Sequence, residues 1–74
     1  MPEHNVVADV SGRIWKLEVA EGQQVAEGDT LLIVESMKME IPVEAPAAGT
    51  VLRILAAEGD MVTDEQVLVV LASA

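Results

Sequence analysis

The sequence predicts an all-β domain, a flattened β-barrel of two antiparallel sheets with about four strands each. The first observation is an internal repeat at an offset of 37 in the 74 residues, in which residues 10–36 match residues 47–73 without a gap. The second is that the apolar 51 % of the chain is mostly Val, Leu, Ala and Ile, with Trp15 as the single aromatic residue, a composition that favours strands. Neither copy could bury an apolar face alone, so the two are expected to pack about a pseudo-twofold axis.

Each copy begins with a glycine and a strand. Gly12 opens the first copy and Gly49 opens the second. In the strand that follows, Trp15, Leu17 and Val19 alternate with Lys and Glu. Alternation of this kind is typical of a strand with one buried face, so these three side chains are expected in the core.

A turn and a second strand complete each copy. The dipeptides Glu21-Gly22 and Glu58-Gly59 occupy equivalent positions, and Gly adopts the positive φ that such turns require without steric cost. The apolar runs 31–34 and 67–71 then close the two copies. Continuous apolar runs of this length are typical of buried strands.

The segment between the copies, Met37 to Pro46, requires a hairpin. One strand from residue 31 to residue 44 would far exceed the usual five or six residues, so we predict a two-residue turn at Met37-Lys38 between strands 31–36 and 39–44. Tight hairpins favour Asn-Gly or Asp-Gly because their central residues adopt positive φ, which is costly for Met and Lys. A local rule broken without a structural gain points to function.

Lys38 is the candidate functional residue because the repeat gives it no counterpart. Lys16 aligns with Arg53, whereas the position equivalent to Lys38 lies beyond the last residue of the chain. The lysine turn and the two termini are therefore expected at opposite ends of the molecule.

The residues around Lys38 suit covalent modification. An exposed ε-amine flanked by Met37 and Met39 is accessible for acylation, but it must lose its proton before it can attack. Glu35 and Glu40 would favour its charged form. The domain is therefore expected to rely on an external enzyme to activate this amine.

Composition excludes several other functions. The formal charge of −9, from 13 acidic and four basic residues, excludes a nucleic-acid footprint and an anionic membrane surface, both of which need clustered Lys and Arg. With no Cys and one His, the chain has no thiol nucleophile and little material for a catalytic pocket. We expect no metal site, since Asp60, Asp64 and Glu65 lack the spacing of a calcium loop. The first ten residues have no secretory character, so a cytoplasmic, monomeric domain is expected.

Residues 35–49, ESMKMEIPVEAPAAG, resemble the attachment site of a biotinyl domain, as in the biotin carboxyl carrier components of carboxylases. The Met-Lys-Met core is the family's mark, and the resemblance covers essentially the whole chain, including the Glu-Gly pairs and the glycines that open each copy. It implies one biotinyl domain over residues 1–74 with the barrel-sandwich hybrid fold. Ser36 stands where many such sites have Ala, and Glu65 where the second copy often has Gly, which allows a different turn there.

By that resemblance, Lys38 carries biotin through an amide bond made by a biotin protein ligase. The domain is a non-catalytic carrier that shuttles carboxyl groups between biotin carboxylase and carboxyltransferase sites. The resemblance implies that neighbouring side chains form the recognition context of the lysine; these are Met37, Met39, Glu35, Ser36 and Glu40.

Two alternatives remain open on the sequence alone. A lipoyl domain has the same fold and repeat, although lipoyl sites usually have Asp-Lys-Ala at the lysine where this chain has Met-Lys-Met. A non-covalent interaction module would use the acidic surface and leave Lys38 unmodified. The mass of the mature protein separates these alternatives from a biotin carrier.

Overall fold

The structure, a computed structural model, describes residues 3–73 and is built from strands in two four-stranded antiparallel sheets. Their bounds are β1 (Glu3–Val7), β2 (Gly12–Leu17), β3 (Gln24–Val25), β4 (Thr30–Ser36), β5 (Met39–Glu44), β6 (Gly49–Ile54), β7 (Met61–Val62) and β8 (Val67–Ser73). The terminal sheet has the order β1-β8-β6-β3, and the hairpin sheet has the order β5-β4-β2-β7. This architecture confirms the predicted all-β fold class. Across residues 3–73 there is no helix long and apolar enough to cross a membrane.

The offset of 37 relates one sheet to the other strand by strand. The strands β1, β8, β6 and β3 occupy the places of β5, β4, β2 and β7. The registers correspond as well, because Gly12 lies opposite Val62 in the hairpin sheet and Gly49 lies opposite Val25 in the terminal sheet. The two sheets are therefore related by a pseudo-twofold axis.

The two copies exchange their short strands. In the terminal sheet β3 of the first copy pairs with β6 of the second, and in the hairpin sheet β7 of the second copy pairs with β2 of the first. Backbone hydrogen bonds at the adjoining turns repeat this exchange, from Gly22 N to Val51 O at 2.7 Å and from Gly59 N to Ile14 O at 2.8 Å. Neither copy can complete its sheet without the other.

The Glu-Gly turns have a second function that the sequence analysis missed. Gly22 and Gly59 have φ values of 90° and 92°, as predicted for these glycines. The preceding glutamates accept hydrogen bonds from the other copy, Glu21 Oε2 from Ile54 N and Glu58 Oε2 from Leu17 N, both at 3.0 Å. These carboxylates therefore join the copies at backbone groups that no strand partner satisfies.

The core lies between the sheets and has the same symmetry as the strands. Its largest fully buried side chains are those of Ile14, Leu31, Leu32, Leu68, Leu71, Val34, Val51, Val62 and Val69. The predicted closing strands supply most of this set. Leu17 and Val19 pack against it from partly exposed positions.

The prediction that Trp15 belongs to the core is wrong, since its side chain is 48 % exposed. The register of β2 against β4 shifts between Ile14 and Lys16, so Trp15 is the extra residue of a β-bulge. A bulge interrupts the alternation of faces, and Ile14 takes the buried position instead. Leu52, the equivalent of Trp15, lies at the matching bulge of β6 and is 40 % exposed.

The turn at Glu65 keeps the form of its counterpart at Gly28. Gly28 has φ 89° and Glu65 has φ 69°. Each donates its amide proton to the carbonyl oxygen of an equivalent alanine, Gly28 N to Ala45 O at 2.9 Å and Glu65 N to Ala8 O at 2.8 Å. The Gly-to-Glu difference therefore leaves a non-glycine residue in the left-handed region and does not change the turn.

Candidate functional site: the lysine hairpin

The two-residue turn lies where the sequence analysis placed it, with β4 ending at Ser36 and β5 beginning at Met39. Ser36 and Met39 are paired across the hairpin. Met37 has φ 52° and Lys38 has φ 67°, both in the left-handed region. Two consecutive positive φ values are the geometry of a type I′ turn, which is normally made with Asn and Gly. Met37 and Lys38 therefore adopt a strained backbone conformation although their side chains are exposed and make no contact in the core.

The side chains of the turn point into solvent. Met37 is 93 % exposed and Met39 is 65 % exposed, and Lys38 between them is exposed as well. Among residues 3–73 the ion pairs are Arg13 with Glu35 and Lys16 with Glu18, so Lys38 has no carboxylate partner within that part of the chain. The amine of Lys38 is thus accessible and is not held by an ion pair.

The base of the hairpin is fixed to the body of the domain. Ser36 Oγ donates a hydrogen bond to Ser11 O at 2.9 Å, and Ser11 Oγ accepts one from Asp64 N at 3.1 Å. At Gly12 a Cβ atom would overlap the carbonyl oxygen of Glu35, so only glycine allows this close approach of β2 to β4. The flexible Lys38 side chain therefore extends from a rigid support.

An open depression lies beside the turn, and the sequence analysis missed two residues in it. It is lined by Ser11, Gly12, Arg13, Glu35, Ser36, Met37, Lys38 and Met61. Arg13 Nη2 lies 3.6 Å from Glu35 Oε1, and Met61 is 72 % exposed. Arg13 and Met61 could have been found from the repeat, because Arg13 aligns with Thr50 and Met61 aligns with Gln24, and each pair differs in chemical character.

The other predicted site residues lie on the two strands of the hairpin. Glu35 is half-buried at the end of β4, and Glu40 is exposed directly opposite it at the start of β5. The structure thus brings together on one hairpin the whole set named from the sequence, which comprises Glu35, Ser36, Met37, Lys38, Met39 and Glu40.

Histidine does not contribute to the lysine hairpin. His4, the chain's single histidine, bonds through Nε2 to Ser73 Oγ at 2.5 Å, at the position equivalent to the hairpin in the terminal sheet. Over residues 3–73 no group of three or more His, Cys, Asp or Glu side chains could hold a metal ion. The arrangement can present an amine for acylation and carry the attached group, and within residues 3–73 no carboxylate forms an ion pair with that amine.

Comparison with known proteins identifies the family of the chain. Residues 1–71 match the family model described as biotin-requiring enzyme. The biotin/lipoyl attachment protein of Bacillus subtilis is 40 % identical over 68 residues, which cover 92 % of this chain and 93 % of that protein. The biotinylated protein TB7.3 homolog of Mycobacterium leprae is 37 % identical over 68 residues, or 92 % of this chain and 96 % of that protein.

A solved structure with a similar fold comes from a carboxylase. The crystal structure of the Kluyveromyces lactis urea carboxylase superposes with a TM-score of 0.92 and 35 % identity over 97 % of this chain. The chain spans only 6 % of that enzyme. At the level of the family, biotin as cofactor and a non-catalytic carrier role are confirmed. The chain belongs to the biotin-requiring enzyme family, as a biotinyl domain.

Proposed function

We propose that Lys38 is the biotin attachment site and that residues 1–74 form one biotinyl domain, which carries carboxyl groups between a biotin carboxylase and a carboxyltransferase. The observation that supports this proposal most is the lysine turn. An exposed lysine without a carboxylate partner among residues 3–73 stands at positive φ at the tip of a fixed hairpin. Strained positions of this kind persist where function requires them.

The chain's own residues fit an amide-linked group at this position. Lys38 Nζ would attack an activated form of the biotin carboxyl group, lose one proton and release the activating group, so that one amide bond forms. Because no carboxylate among residues 3–73 forms an ion pair with the amine, we propose that a biotin protein ligase supplies both the activated group and the deprotonation. The fixed hairpin base then leaves the Lys38 side chain as the movable arm.

Biotin supplies the carrying chemistry once it is attached, since it takes up a carboxyl group at one enzyme and releases it at the other. The protein contributes display and recognition. Met37 and Met39 present flexible, polarizable thioethers that can adapt to more than one enzyme surface. We propose that Glu35, Ser36 and Glu40 complete the recognition context, and that the domain acts as a monomer without nucleic-acid or membrane partners.

The test of attachment is an intact-mass measurement. The full chain is incubated with a biotin protein ligase, biotin and ATP, and the product is mapped by peptide mass spectrometry. We expect one biotinyl group, on the peptide that contains Lys38, and none on the Lys38→Arg variant. The matched control is Lys16→Arg, which changes the lysine of the other ion pair and should leave modification unchanged. Biotinylation of the Lys38→Arg chain, for example at Lys16, would refute the assignment.

The same measurement separates the alternatives. A lipoyl mass on Lys38 in protein isolated after expression with both cofactors would favour a lipoyl carrier. A chain that remains unmodified after incubation with a biotin protein ligase and, separately, with a lipoate ligase would favour a non-covalent acidic interaction module.

The carrier role itself needs a second experiment. Biotinylated protein is incubated with a biotin carboxylase, ATP and radiolabelled bicarbonate, and label on the protein is then counted. The wild type should gain acid-labile label, whereas the Lys38→Arg variant should gain none. If a fully biotinylated domain gained no label from any carboxylase tested, including that of its own host, the carrier proposal would be wrong.

A further inference from the structure

We propose that Arg13 is a positioning residue, which holds the carboxylate of Glu35 in place for the enzyme that acylates Lys38. This inference rests on the proposed attachment at Lys38 and adds a determinant from a different strand. Arg13 lies on β2, outside the hairpin, and its guanidinium Nη2 is 3.6 Å from Glu35 Oε1.

Four side chains form a row across the hairpin sheet beside the lysine turn. The strand registers place Glu40 opposite Glu35, Glu35 opposite Arg13, and Arg13 opposite Met61. Residues directly opposite each other on neighbouring strands share one face of a sheet. The row adjoins the pair Ser36–Met39 that closes the lysine turn, so an enzyme that reaches Lys38 along this face meets it.

The order of charges in the row makes the position of Glu35 depend on Arg13. Glu35 and Glu40 are like charges directly opposite each other, an arrangement that disfavours their close approach. Arg13 on β2 and Glu40 on β5 lie on opposite sides of Glu35. The guanidinium of Arg13 therefore attracts the Glu35 carboxylate away from Glu40. Without Arg13, the Glu35 carboxylate would face only another carboxylate and would turn towards solvent.

The equivalent row at the other end of the molecule shows that the fold does not need this ion pair. Its members in the terminal sheet are Glu3, Ala72, Thr50 and Gln24. The structural parts of the two ends are the same, since Gly12 corresponds to Gly49 and Ser36 to Ser73. An Arg–Glu pair that is present at the lysine end and replaced by Thr and Ala at the other is therefore a feature of the site.

The test is the kinetics of the biotin protein ligase on the full chain. Arg13→Ala should raise KM for the domain about two- to fivefold, the range set by loss of an exposed ion pair, with kcat unchanged. The matched control is Lys16→Ala. It removes a positive charge and an ion pair from the same strand, at 3.7 Å and with similar exposure, and KM should stay at the wild-type value.

A charge swap separates positioning from stability. The double variant Arg13→Glu with Glu35→Arg keeps the ion pair but moves the carboxylate to β2. Its melting temperature should therefore be close to that of the wild type, whereas its KM for the ligase should stay as high as that of Arg13→Ala. The single variant Arg13→Lys should restore KM in part because a positive charge remains beside Glu35.

Three results would overturn the inference: wild-type KM in Arg13→Ala, an equal rise in Lys16→Ala, or full recovery of KM in the charge swap. Failure of the wild-type chain to become biotinylated would instead refute the attachment at Lys38, so the two proposals fail in distinguishable ways.

Discussion

The lysine end and the terminal end of the molecule are built from the same parts and differ in what is added to them. We call the turn 36–39 with its adjoining residues the lysine end, and the region around Glu3 and Ser73 the terminal end. At both ends a glycine of one strand lies against the carbonyl oxygen of the next, Gly12 against Glu35 and Gly49 against Ala72.

Among residues 3–73, two contacts of the lysine end have no equivalent at the terminal end. Ser36 Oγ bonds to Ser11 O and Arg13 pairs with Glu35. At the terminal end Ser73 Oγ bonds to the His4 side chain instead, and Thr50 and Ala72 occupy the positions of the ion pair. What the two ends share belongs to the fold, and the contacts found beside Lys38 but not at its counterpart are candidates for the site.

The largest effect is expected from alanine at the two shared glycines. Gly12→Ala and Gly49→Ala each place a Cβ atom on a backbone carbonyl oxygen that cannot move without opening the sheet. We expect each to lower the free energy of unfolding by about 2 kcal/mol or more, in the range for overpacking at rigid positions. Urea denaturation monitored by circular dichroism measures both values.

The two variants should then differ in modification. Gly12→Ala disturbs β4 next to the lysine turn and should raise the ligase KM, whereas Gly49→Ala should leave KM unchanged at temperatures where both remain folded. Equal effects on KM would show that the two ends are not functionally separate.

Much of this arrangement could be predicted from the sequence because the repeat is ungapped. An offset of 37 fixes which strands correspond, and the run from residue 31 to residue 44 is too long for one strand and thus requires a turn. Lys38 could be singled out because the two-residue turn falls on Met37 and Lys38, for which the positive φ of a tight hairpin is costly. Its attachment of biotin stays a prediction.

The features that the sequence analysis missed depend on register and on contacts between strands. The exposure of Trp15 follows from a β-bulge, and a period of two cannot show where one residue is inserted. The pairing of Arg13 with Glu35 joins residues far apart in the sequence. Differences between repeat counterparts are the signal that indicates such residues.

A smaller effect, in the stabilising direction, is expected at the turn itself. Met37→Gly removes a side chain that is 93 % exposed from a residue at φ 52°. We expect the free energy of unfolding to rise by about 1 kcal/mol, because an L-residue in the left-handed region costs roughly 1–2 kcal/mol and glycine does not. The measurement is a pair of urea denaturation curves.

The same variant tests why a methionine stands there. If the Met37 side chain serves recognition, the Met37→Gly variant should be more stable than the wild type but should have a higher KM for the partner enzymes, although Lys38 is still in place. A loss of stability would contradict the view that the Met37 side chain has no structural function.

Opposite signs are expected at the equivalent pair Gly28 and Glu65. Both lie at positive φ in matching turns, so Glu65→Gly should stabilise the domain by about 0.5–1 kcal/mol and Gly28→Ala should destabilise it by a similar amount. Thermal melting of the two variants measures both changes. Destabilisation by Glu65→Gly would mean that the Glu65 side chain contributes more than its backbone strain costs.

The smallest effect is expected at the equivalent pair Trp15 and Leu52. Trp15→Leu makes the bulge of β2 match the bulge of β6, and both side chains are about equally exposed, at 48 % and 40 %. The free energy of unfolding should change by less than about 0.5 kcal/mol, as for substitutions away from the core. Circular dichroism is the required probe because the variant has no remaining aromatic residue. A loss of more than about 2 kcal/mol would mean that the first copy buries its bulge residue and that the two bulges are not equivalent. A small change would instead show that a tryptophan is tolerated there because this position of the repeat faces solvent in both copies.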